Sequence, residues 1–116
     1  MPRRLIPAEP AEVADALAQW RAGTAGRPER KVLVKHYLAL LQERAPGASV
    51  EVRVPPYAAV QVIEGVRHTR GTPPAVVETD ADTWIGLAVG DAAWTDDLPV
   101  SVSGERTDLS RYLPLG

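Results

Sequence analysis

The residues best equipped for chemistry sit together just past the middle of the chain. Arg67, His68 and Arg70 are near neighbours, and Glu78 follows at the end of an apolar run. Two guanidinium groups flanking a histidine donor could grip a carboxylate or phosphate bidentately. The same groups could instead satisfy one another. Glu78 would then bridge to Arg67 or Arg70, and Thr69 or Thr72 would bond the turn backbone. Gly71, Pro73 and Pro74 specify a rigid connection whatever the arginines do, which favours the second use.

Other chemistries find little support. With no cysteine in the chain, thiolate catalysis, disulfides and cysteine-ligated metals are excluded. His36 and His68 share no metal-ligand spacing with each other or with a local carboxylate cluster, and His36 lies one residue off an apolar stripe. Asp80-Ala-Asp82 begins like a calcium loop, but Trp84 takes the third ligand position and no glycine follows at the sixth. Helix capping accounts for both aspartates. No G-x-S-x-G, P-loop or G-x-G-x-x-G pattern occurs. Asp96-Asp97 reads as a solvated pair on a turn rather than a glycosidase couple, whose carboxyls stand about 5–9.5 Å apart across a cleft. The expectation is a protein that is not an enzyme and carries neither metal nor cofactor.

The elements that must position these residues follow from hydrophobic periodicity. Val13, Leu17 and Trp20 recur at helical spacing, predicting a helix over 10–21 that ends at Gly23. Pro28 suits the opening turn of a second helix over 28–45, whose face of Leu33, Val34, Tyr37, Leu38 and Leu41 is broad enough to cover a sheet. The period then drops to two. Val50, Val52 and Val54 alternate with Glu51 and Arg53 in a half-buried strand over 49–54. After Pro55-Pro56, a second strand over 57–66 places Val60 and Val62 on one face and Ala59, Gln61 and Ile63 on the other. A third strand covers 74–79. Ile63 and Val77 break the simple alternation, which suggests partial cover on both faces of the sheet. Thr79-Asp80 caps a third helix over 80–89, with Asp82 as the box partner of Thr79. Trp94 falls in a short helical turn, 100–103 form a fourth strand, and Leu109, Tyr112 and Leu113 a last turn.

At 116 residues the chain is one domain. It has no Phe and much Ala and Val, so its interior is built from small side chains that either close tightly or leave a cavity. Among thirteen basic residues only Lys31 and Lys35 are lysines, a usage that reads as codon bias. A net charge of −2 argues against a nucleic-acid surface. MPRRLIPAEP lacks the apolar core of a signal peptide, and no run approaches a membrane span. A soluble, cytoplasmic protein is the default expectation.

Two segments together resemble a known family. VRVPPYAAVQVIEGVRHTRGTPPAVVETDADTWIGLAVG and VSVSGERTDLSRYLPL are similar to small, stand-alone bacterial relatives of the sterol carrier protein family. Its pattern T-D-x-x-T-W-x-x-L-A-x-G, followed by a strand ending in S-G, falls on Thr79, Asp80, Thr83, Trp84, Leu87, Ala88, Gly90, Ser103 and Gly104. The likeness runs from about Pro28 to Leu115, with residues 1–27 as an N-terminal helix and linker before the 28–116 unit. It implies an α/β fold with about five mostly antiparallel strands and helices packed on one face. It also implies non-catalytic binding of a lipid, acyl chain or sterol between sheet and helices. Tyr37, Leu41, Val60, Val62, Trp84 and Leu113 are the expected lining. TDDLP, between Trp94 and Val100, is shorter and more acidic than the family's pattern, so the mouth of such a site departs from it. The alternative is an accessory domain with a filled core that acts on a protein partner through an exposed apolar patch.

Overall fold

A computed structural model of the protein describes residues 4–65, 75–104 and 107–116. The elements run α1 (Pro10–Ala22), α2 (Arg27–Arg44), β1 (Val50–Val54), β2 (Ala58–Val62), β3 (Ala75–Thr79), α3 (Ala81–Val89), β4 (Val100–Ser103), then a single 3-10 turn at Ser110–Tyr112. The strands lie in the order β2-β1-β3-β4. β1 pairs antiparallel with β2 and parallel with β3, and β3 pairs antiparallel with β4. This is an α/β fold on an open mixed sheet. Among the described residues it has four strands rather than the five expected.

Backbone geometry explains why the ladder stops where it does. β2 ends at Val62, short of the expected 66, because Ile63 turns to φ 67°. The Ile63 amide leaves the sheet and donates to the Ala45 carbonyl at 2.7 Å, while the Ile63 carbonyl accepts from the Ser49 amide at 3.0 Å and the Ser49 hydroxyl at 2.6 Å. The turn also swings the Ile63 side chain into the core rather than onto the opposite face. Val77 alternates regularly with Val76 and Glu78 and points inward with Ala75 and Thr79. Cover on both faces, suggested by Ile63 and Val77, therefore has no basis in either residue.

The inner face carries Val50, Val52, Val54, Val60, Val62 and Val77, which form one cluster with Leu33, Val34, Tyr37, Leu38 and Leu41 of α2 and Trp84, Ile85 and Ala88 of α3. Glu51, Arg53 and Glu78 stand on the other face. Alternation at period two thus puts the valines under the helices and the charges in water.

α3 is capped differently from the expected box. Asp80 is the N-cap, its carboxylate accepting from the Thr83 amide at 2.8 Å and the Thr83 hydroxyl at 3.0 Å. Thr79 belongs to β3, and its hydroxyl donates to the Pro99 carbonyl at 2.9 Å. Trp94 lies in a turn rather than a helix. At the other end of α3, Leu115 donates to the Ala88 carbonyl at 2.7 Å, and Arg44 donates to the carbonyls of Tyr112 and Pro114 at 3.0 Å each. The C-terminal segment is thereby pinned to α2 and α3, and it satisfies a carbonyl that the helix end leaves free.

α1 packs against α2 through buried Val13 and Ala16. The segment before it is tied by two bonds: the Leu5 amide donates to Gln42 Oε1 at 3.3 Å and the Ala8 amide to His36 Nδ1 at 3.0 Å. The second bond requires an unprotonated Nδ1. Burial pushes the His36 pKa below its ordinary 6.5, against an opposing pull from Glu43. Above 6.5 the imidazole is neutral in folded and unfolded chains alike. As pH falls through that value the unfolded chain takes up the proton first, so stability drops. The melting temperature is expected to decline between pH 7.5 and 5, and His36→Gln, whose amide oxygen accepts at any pH, should flatten that decline. Equal slopes in both proteins would refute the assignment. Asp82, Asp91 and Asp108 are all held below the usual 3.8, so the stability they contribute is present across this range and is lost only below that value.

Candidate functional site

Five of the six expected lining residues converge between sheet and helices. Tyr37 and Leu41 come from α2, Val60 and Val62 from β2, and Trp84 from α3; all are buried in the one core cluster. Leu113 is half-buried at the edge of that cluster. Helical spacing on α2 and alternation on β2 dictate these orientations locally. Trp84 is the largest fully buried side chain, 1% exposed. Its indole N–H is buried and lacks an acceptor among the described residues. A buried donor without a partner costs about 1–3 kcal/mol of desolvation. That makes the Trp84 N–H the most unusual polar group of the interlayer.

Arg67, His68 and Arg70 lie outside the described residues. Glu78 stands on the helix-free face, in register with Arg53 of β1. Arg53 is itself paired with Glu51.

Asp82 has a role that neither capping nor a calcium loop anticipates. It accepts from Trp20 Nε1 at 2.9 Å and from Arg30 Nε at 2.8 Å, joining α1, α2 and α3 at one carboxylate. The contact with Arg30, and secondarily that with Trp20, holds its carboxyl below the usual range. Trp20 packs over Gly86, where a Cβ would lie 3.9 Å from the indole and 3.4 Å from the Ala92 Cβ, both ordinary contacts. No local pattern marks this link, because its members are separated by 52 and 62 residues. Arg21 and Asp91 make a second, exposed pair from α1 to the end of α3 at 3.0 Å.

A second feature also escaped local reading. The inner face of the sheet runs out from under the helices at β4. There Val102 is 51% exposed, beside Trp94, Asp96, Leu98 and Val100, around a trough of about 190 Å³. The Val100/Val102 alternation puts both on the inner face, but only the strand order makes β4 an edge. No described helix is long and apolar enough to cross a membrane.

An open mixed sheet with helices on one face, an apolar interlayer and a buried tryptophan on the helix after β3 define a small sterol-carrier-like domain. The model of the family described as bacterial SCP ortholog matches residues 26–115. The chain belongs to that family. No curated protein matches the chain at a significant level. α1 precedes the matched span.

Proposed function

We propose that the protein binds an apolar ligand, an acyl chain or sterol-like molecule, between sheet and helices, without chemical turnover. The observation that carries this reading is the unpartnered indole N–H of Trp84, buried among Val and Leu side chains. A ligand carboxyl or hydroxyl oxygen placed there would relieve its desolvation. Membership of a sterol-carrier-like family supports the reading. Each buried methylene contributes about 0.8 kcal/mol, so eight give about 6 kcal/mol before association entropy is subtracted. Affinity is then micromolar or weaker.

A second reading, a protein-interaction module with a filled core, is favoured by the exposure of Val102 on an edge strand. Titration of delipidated protein with decanoic acid separates the two. The carrier reading expects a change in tryptophan emission and a rise in melting temperature, with the emission change lost in Trp84→Phe although Trp20 and Trp94 remain. No response to any fatty acid or sterol, and no lipid retained in native mass spectrometry, would leave the interaction module.

A further inference from the structure

We propose that the groove between the first half of α2 and the Pro55–Tyr57 turn is a binding site for an organic phosphate. The groove is lined by Arg27, Pro28, Lys31, Lys35, Pro56 and Tyr57 and measures about 550 Å³. That volume lies within the range of small-molecule sites. Arg27, Lys31 and Lys35 are spaced four residues apart, so they form one row about 12 Å long on a single flank of the helix. None of the three has an acidic partner among the described residues, whereas Arg21, Arg30 and Arg53 are each ion-paired. No carboxylate lines the groove.

The row places three cations side by side on a chain of net −2. Like charges at successive i, i+4 positions repel, so the row destabilises the empty protein. An anion in the groove would reverse that. The row also contains both lysines of the chain. Codon bias accounts for the abundance of arginine but not for the placement of the two exceptions in one groove. An ammonium group binds phosphate as a compact point charge. The opposite wall, Pro56 and half-buried Tyr57, is apolar, and together with Pro28 at the start of α2 it offers a surface to the organic part of the ligand. The shared chemistry is a phosphate ester with an apolar or planar substituent, either free in solution or as a lipid head group. This site is separate from the Trp84 interlayer and stands whether or not an acyl chain binds there.

The test uses the full chain at low ionic strength, with 1-naphthyl phosphate in one arm and phosphatidylglycerol vesicles, against pure phosphatidylcholine vesicles, in the other. Binding in either arm is expected, and the responding arm identifies the source. The double variant Lys31→Gln/Lys35→Gln should weaken binding about fivefold for each lysine removed, with its ligand-free melting temperature equal to or above that of the wild type and its decanoic acid response retained. Raising the salt concentration should weaken the wild type more than the variant. Failure of both arms, or undiminished binding by the double variant, would overturn the assignment.

Discussion

Gly47→Ala is expected to be among the most damaging single substitutions in this chain, costing about 2–5 kcal/mol. Gly47 has φ +145°, a conformation that side-chain-bearing residues rarely adopt. A Cβ built there would lie 2.2 Å from the Ile63 carbonyl carbon and 2.3 Å from both the Ile63 oxygen and the Glu64 nitrogen. All three atoms are backbone, so no rotamer change relieves the overlap. Nor can the Ile63–Glu64 peptide move away freely. Ile63 is bonded to Ala45 and Ser49, which flank Gly47, and this staple fastens the end of α2 to the end of β2. Against a total stability of about 5–15 kcal/mol for a domain, the loss is severe. Urea denaturation should show a much lower midpoint, and an unchanged midpoint would show that the staple is not rigid.

Trp84→Ala is the second large effect, with an expected cost of about 3–5 kcal/mol from lost burial and the cavity left behind. Trp84→Phe should cost far less, about 1.5 kcal/mol at most. It keeps most of the ring contact and removes a buried donor that has no partner. The difference between the two variants therefore reports on the N–H as well as on volume. If Phe proved as damaging as Ala, the indole N–H would have to be bonded in the folded protein. The structural reason for assigning the ligand's polar end to it would then fall. Repeating both measurements with decanoic acid present links stability to binding, because a ligand that binds only the folded state raises the midpoint.

Much of the architecture was legible locally. The valine alternation at Val50–Val54 and the stripe Leu33, Val34, Tyr37, Leu38 and Leu41 placed the two layers correctly. The segment from Thr79 to Gly90 carried enough pattern to indicate the family that the match over residues 26–115 establishes. Errors arose where a residue had two local uses. Ile63 fits a strand by propensity, but a positive φ turns it out of the ladder to bond Ala45. Thr79 looks like a cap but ends a strand, and Asp82 looks like a capping partner but ties three helices together.

What the sequence determined by itself is the set of properties that depend on near neighbours. These are the helical and strand periods, the Asp80 cap, the inward face of each element, the lack of cysteine chemistry and a core without Phe. What tertiary structure alone decided depends on which distant segments meet. Asp82 finds Trp20 and Arg30, β4 becomes an edge with Val102 uncovered, and the row Arg27, Lys31 and Lys35 acquires an opposite wall at Pro56 and Tyr57. The physical reason is range. Backbone dihedrals and side-chain direction repeat over a few residues, so a short window of sequence encodes them. A groove or a three-helix carboxylate exists only after the packed layers have brought remote residues within a few ångströms.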